Sequence, residues 1–257
     1  MGFVPIDTAK FVRFNSSTSC DFLTDYEKFV ESEESKRNSK PKGRTFAPSG
    51  FRCRRLQWFR LRGTEPDVFP VDKVLSFTAE VGTDRHKAIQ SKLSQTPEIL
   101  WVNVEEYLKE HGNPAFSDYT VRQNGMETLV SIPSVPIEFA CDGIVKYKGE
   151  YYLLEIKTSE YESFSKLTAP KPNHIEQVMC YCTFLGLSKV LFLYEDRKFG
   201  NLKCFEISVS YSDKDSILNI ISYVNDMVDK NIAPPKLNTN DILCTNCPYA
   251  KKCKDWG

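Results

Sequence analysis

Two alternating runs joined by a two-residue turn constrain this chain most. Pro136 to Tyr147 alternates apolar and polar residues, Lys148-Gly149 follows, and Tyr151 to Lys157 resumes the pattern. A side-chain period of two specifies strands, and a short linker ending in glycine closes them as a hairpin. Beyond the Pro170-Lys171-Pro172 break, Asn173 reads as an N-cap with Glu176 three residues on, opening a helix that stops at Gly186. Strands over Lys189 to Tyr194 and Leu202 to Ser208 follow, then a helix near Asp213 to Lys230. Upstream, Ser76 to about Leu93 has helical periodicity, and a second helix is expected over Ile99 to His111. Strands with a helix inserted among them, and helices on either side, argue for an α/β fold with a mixed central sheet flanked by helices.

Size and charge narrow the function classes. A chain of 257 residues with 41% hydrophobic content buries one large core or two small ones, which excludes disorder and a minimal disulfide scaffold. Thirty-four basic residues balance 34 acidic ones, so no whole-chain field draws a polyanion. A local patch exists, because Lys36 to Thr64 holds ten basic residues and no acidic one. Its second half reads as a helix carrying Phe51, Arg55, Trp58, Phe59 and Arg62. Two readings stand for it: a solvated basic face, or a surface for phosphates with aromatics that stack on bases or enter the core. Residues 1–45 read as an N-terminal extension and polar linker, and 46–257 as the main domain. No apolar run approaches the roughly 20 residues of a membrane span, and Met1-Gly2-Phe3-Val4-Pro5 does not open a secretory signal. The expected location is cytoplasmic.

The hairpin carries the chemistry. Asp142 sits in its first strand; Glu155 and Lys157 lie in its second, two residues apart and therefore on one face. Charges buried there cost several kcal/mol each unless they pair or bind a cation. Carboxylates beside an ammonium suit Mg2+ or Mn2+ held together with a phosphate. The same short pattern also occurs on ordinary surface strands. His86, in Gly82-Thr83-Asp84-Arg85-His86, lies on a helix, and Gln177 and Tyr181 share one helix face four residues apart.

Nine cysteines in a reducing compartment suggest metal binding before disulfides. Cys141, Cys180, Cys182 and Cys204 lie in apolar runs and read as core filling. Cys244, Cys247 and Cys253 form C-x2-C-x5-C near the C-terminus, three ligands that require a fourth. Four thiolates suit tetrahedral zinc or an iron–sulfur cluster, although a zinc ribbon brings two C-x-x-C knuckles and this chain has one.

Taken in order, His86, Asp142, Glu155-x-Lys157 and Gln177-x-x-x-Tyr181 resemble the RecB-type branch of the PD-(D/E)XK nucleases. The cysteine set resembles the iron–sulfur members of that branch, such as CRISPR-associated RecB-like exonucleases and AddB-type nuclease domains. The resemblance covers about residues 46 to 257. It implies a restriction-endonuclease-like core, with the C-terminal cysteine segment (240–257) packed against an N-terminal helix. It further implies that His86, Asp142, Glu155 and the Ile156 carbonyl hold Mg2+ or Mn2+. Lys157 would then position the attacking water, while Gln177 and Tyr181 orient Lys157 and the DNA backbone. Cys53, in an arginine-rich helix, would join Cys244, Cys247 and Cys253 on a 4Fe-4S cluster; Cys20 does not fit. The implied activity is a DNA exonuclease favouring single-stranded ends in recombination, repair, CRISPR adaptation or phage DNA processing. Its implied partners are DNA and a separate helicase, recombinase or CRISPR adaptation complex, in a bacterial, archaeal or phage-infected cell, with homo-oligomerisation open. Ala140 stands where the family often has glycine. A non-catalytic DNA-binding scaffold and a restriction-type endonuclease are the competing readings.

Overall fold

The computed structural model describes residues 21–39, 43–67, 73–238, 241–245 and 247–256. The chain divides into two units, Met1–Lys40 and Pro41–Gly257. In the first, α1 (Asp21–Ser39) is helical through the polar run that reads as a linker. Glu and Lys are good helix formers, and Asp25–Lys28 and Glu33–Lys36 pair across one turn at 3.8 and 2.7 Å. Cys20, the first five residues, and Lys40 and Lys42 of the basic run lie outside the described residues.

The second unit starts with a 3-10 turn at Pro48–Gly50, then α2 (Arg54–Leu61), α3 (Lys73–Leu93), β1 (Ile99–Val102) and α4 (Val104–His111). Strands β2 (Thr120–Asn124), β3 (Glu127–Ile132) and β4 (Ile137–Cys141) form a small antiparallel sheet in that order. A five-stranded sheet follows from β5 (Gly143–Tyr147), β6 (Glu150–Ser159), β7 (Lys189–Asp196) and β8 (Leu202–Ser208), ordered β1-β5-β6-β7-β8. Only β6 and β7 run parallel in it, so the central sheet is mixed. A parallel pair needs a crossover, which α5 (Tyr161–Ser165) and α6 (Pro172–Leu185) provide; α7 (Tyr211–Asp229), α8 (Ile242–Thr245) and α9 (Ala250–Asp255) finish the chain.

The sheet is packed on both faces. Leu153, Val190, Phe192 and Tyr194 face a core shared with Val178 and Leu185 of α6, Ile217 and Val224 of α7, and Trp58 and Phe59 of α2. Val145, Leu154 and Ile156 turn the other way, onto Ile89 of α3. Each such side chain contributes about 1.5–3 kcal/mol on burial, so helices on both faces are required by the strand pattern.

Several elements differ from the sequence reading. The run from Ile99 is a strand before it is a helix, because Ile-Leu-Trp-Val favours the pleated sheet and Asn103 caps a helix that starts only at Val104. Asn173 is not a cap: Lys171 holds that position with Pro172 at the first helical turn, where a missing N–H costs nothing. The alternating run from Pro136 is two strands in two sheets, broken at Asp142. The Lys148-Gly149 turn has positive φ at both residues, as a type I′ hairpin demands. Cys141, Cys180 and Cys182 are core residues, whereas Cys204 is exposed on the edge strand β8.

The arginine-rich stretch is also not a solvated face. Phe51, Trp58 and Phe59 are core. Arg55 is buried and donates to the carbonyls of Pro234 and Trp256 at 2.6 and 2.8 Å. Arg52 pairs with Asp241 at 3.3 Å, Arg60 donates to Thr45 O at 3.0 Å, and Arg62 lies 4.4 Å over the Trp58 ring. The irregular C-terminal segment has no sheet ladder to satisfy its carbonyls, and guanidinium groups satisfy them instead. Asp67 adds a clamp, accepting from the Lys251 amide at 2.7 Å and from Lys252 Nζ at 3.1 Å. Phe59 stacks on Tyr249 at 5.1 Å. The C-terminal cysteine segment is thereby packed against α2.

Candidate active site

Asp142 is the only residue between β4 and β5, where the chain passes from the small sheet to the central one. That junction leaves its carboxylate free of either ladder. Oδ2 accepts from the Ile156 amide at 2.6 Å, Oδ1 lies 3.2 Å from His86 Nδ1, and its carbonyl accepts from Gln90 Nε2 at 2.6 Å. The next residue must be glycine, since a Cβ at Gly143 would meet the Trp101 ring at 2.5 Å.

On β6, Glu155 and Lys157 share the α6 side of the sheet, while Leu154 and Ile156 face α3. Lys157 Nζ lies 2.5 Å from Glu155 Oε1 and donates to Gln177 Oε1 at 3.1 Å. Gln177 in turn donates to the Tyr181 hydroxyl at 2.7 Å, and the Tyr181 ring stacks on Phe139 of β4 at 4.6 Å. Spacing of four on α6 therefore produces a relay that fixes the ammonium from behind.

His86 depends on how α3 crosses the sheet. Gly82 allows close approach, since a Cβ at this position would lie 3.3 Å from Thr158 Oγ1 of β6. Arg85 makes a two-bond fork with Glu195 of β7, at 2.9 and 2.5 Å. Gln90, one turn beyond His86, holds the Asp142 backbone. These three contacts set the imidazole beside the aspartate.

The electrostatics fit a crowded anionic site. Burial, with Asp142 adding to it, pushes the Glu155 carboxyl well above the usual range, and Lys157 opposes that. Burial alone would lower His86, but its hydrogen bond to Asp142 and that carboxylate's charge outweigh it and raise the imidazole. On α6, burial and then the Lys157 and Lys171 charges push His174 down to about 3, and its Nδ1 lies 2.7 Å from the Tyr194 hydroxyl.

The structure thus joins His86 with Asp142 and Lys157 with Glu155, Gln177 and Tyr181. One residue absent from the sequence reading also enters. Ligand atoms of His86, Glu127 and Asp142 lie within 4.8 Å of one another. Glu127 opens β3 just after the Asn124-Gly125 turn, a hairpin signal that marks the strand but not its neighbour Asp142. An imidazole with carboxylate oxygens is a donor set suited to Mn2+ or Mg2+.

The cysteine candidates lie around the start of α2. Cys53 is the N-cap of α2, its Sγ accepting from the Leu56 amide at 3.4 Å. Burial pushes the Cys53 thiol up against that amide, and nearby Cys244 and Cys253 push the same way. Burial takes Cys247 to about 11, with Cys53, Cys253 and Cys244 all contributing. A helix N-terminus favours the thiolate that a metal requires. Cys53 caps α2, Cys244 lies in α8 and Cys253 in α9, and among the described residues no three of these sulfurs come within 4.8 Å of one another.

No protein-family model matches the chain, and no curated protein matches it. Among solved structures, the crystal structure of SSO0001 aligns over 92% of this chain and 98% of that one, at 16% identity and a TM-score of 0.50. The architecture is shared. It is a mixed central sheet flanked by helices, the layout expected of a PD-(D/E)XK core. LHK-Exo, an alkaline exonuclease from Laribacter hongkongensis, aligns over 49% of this chain and 63% of its own at 19% identity, with a TM-score of 0.36. Its complex with dAMP aligns over the same shares at 20% identity and a TM-score of 0.36. No described helix is long and apolar enough to cross a membrane.

Proposed function

We propose that the chain is a divalent-cation-dependent DNA nuclease acting on single-stranded ends. The observation that carries this reading is the junction at Asp142, whose carboxylate lies against His86 of α3 and accepts from the Ile156 amide, the residue between Glu155 and Lys157 on β6. His86, Asp142, Glu155 and the Ile156 carbonyl would hold Mg2+ or Mn2+. A cation bound there supplies Lewis-acid polarisation of a phosphoryl oxygen and acidifies water.

The remaining work falls to the chain. Lys157 Nζ has three N–H bonds, of which Glu155 and Gln177 engage two. The third is available to a phosphoryl oxygen, and the fixed ammonium offsets charge as the phosphorus becomes five-coordinate. Tyr181 and Gln177 keep the ammonium from swinging away. Asp142, held by the Ile156 amide and His86, stays in place without rearrangement during the reaction.

Cys53, Cys244, Cys247 and Cys253 would carry an iron–sulfur cluster that pins the C-terminus to α2. Its role is structural, since the cysteines share no contact with Lys157 or Asp142 among the described residues. DNA is the proposed partner, with a helicase, recombinase or CRISPR adaptation complex supplying the ends.

The test is incubation of labelled linear single-stranded, linear duplex and circular DNA with Mn2+. Preferential shortening of the linear single strand supports the reading. Cut circles would instead assign an endonuclease, and intact DNA in all three arms would leave a binding scaffold.

A further inference from the structure

We propose that Glu127 is an additional carboxylate ligand of the cation held at His86 and Asp142, supplied by the small sheet. This rests on the cation reading above and names a residue outside the His86, Asp142, Glu155 set. The argument begins with register. In the β3–β4 ladder Thr128 faces Cys141, so the next step along the pair sets Glu127 opposite Asp142. Side chains directly opposite on antiparallel strands stand about 5 Å apart at Cβ. The turn at Gly125, with φ of +66°, and the Asn124–Glu127 pair that closes it fix the glutamate at the mouth of the hairpin.

Two facing carboxylates repel unless something positive separates them. Among the described residues, no lysine or arginine pairs with Glu127 or Asp142, whereas Glu155 has the Lys157 ammonium at 2.5 Å. Glu127 is therefore the carboxylate of this cluster without a countercharge. His86 completes three donors of mixed type within 4.8 Å. A second observation stands beside it. Gln90 is fully buried and anchored on the Asp142 carbonyl by Nε2, yet its Oε1 has no hydrogen-bond partner among the described residues. A buried acceptor of this kind suits the hydration of a cation at Asp142.

Mn2+ binding to the full chain, read by electron paramagnetic resonance and by the Mn2+-induced rise in Tm, tests the proposal. Glu127→Gln keeps the shape and removes the charge; it should weaken Mn2+ binding roughly 10- to 100-fold. In the metal-free protein the same variant should melt no lower than wild type, because a repulsion has been relieved. Glu138→Gln, on the exposed side of β4, should bind Mn2+ as wild type does. Should Glu127→Gln bind within about threefold of wild type while Asp142→Asn loses binding, Glu127 is not a ligand and the cation reading survives. Should Asp142→Asn also bind normally, the cation reading itself falls.

Discussion

The two ends of this unit gather ligand-type side chains by opposite means. At Asp142 the groups come from strands whose ladders fix their register, and from a helix bolted across those strands by Arg85 and Gln90. At the cysteine end, Cys53 and Cys244 are 191 residues apart (244 − 53), and the C-terminal segment that carries Cys244 joins neither sheet. Guanidinium–carbonyl contacts, the Asp67 clamp and aromatic stacking hold it. The first end is organised by backbone geometry and should keep its shape without a metal. The second depends on side-chain contacts.

The largest contrast is expected at Lys157. Lys157→Ala should reduce single-turnover cleavage by roughly 10³-fold while Mn2+ still binds, because the cation's donors remain. An unchanged rate would remove Lys157 from the chemistry. At the other end, Cys247→Ser should abolish the visible absorbance of an iron–sulfur cluster and lower stability by about 3 kcal/mol, or roughly 6–12 °C in Tm. Melting at the wild-type temperature would show that the sulfurs fasten nothing.

Arg55→Leu and Arg85→Leu sharpen the comparison at intermediate size. Arg55→Leu strands the Pro234 and Trp256 carbonyls and should cost about 1–3 kcal/mol, whereas the Arg85 side chain is 43% exposed, so solvent screens its pair with Glu195 and Arg85→Leu should melt closer to wild type. Only Arg85→Leu should also weaken Mn2+ binding, since only α3 carries His86. Equal effects on Mn2+ would mean that the two ends are not independent.

The smallest effect concerns acid. Asp196 accepts from the amides of Lys198, Phe199 and Asn201; burial would raise its carboxyl, but these bonds hold it below the usual value. A depressed folded-state pKa contributes stability that is present above the unfolded value of about 3.9 and lost as pH falls through the folded one. Asp196→Asn should therefore flatten the low-pH limb of a Tm-against-pH curve and leave both ends' binding unchanged.

Much of this arrangement was legible in residue spacing. The Lys148-Gly149 turn, the two-residue interval from Glu155 to Lys157 and the four-residue interval from Gln177 to Tyr181 are local periodicities. A strand or helix converts them directly into shared faces. The break at Asp142 was not legible, because Pro136 to Tyr147 reads as one strand-like run and nothing local says that its halves join different sheets. Glu127 was missed for a related reason: its importance lies in the proximity of Asp142, 15 residues away (142 − 127), rather than in its neighbours. The fate of the arginines was equally hidden, since their acceptors lie near the far end of the chain.

What the sequence by itself determined is therefore the set of strands and helices with the faces they present, together with the residue types able to bind a cation or a tetrathiolate centre. Only the tertiary structure decided which of those side chains meet. Local periodicity fixes direction over a few residues. Contacts between distant segments depend on how the sheets are ordered and on which buried carbonyls and carboxylates still need a partner.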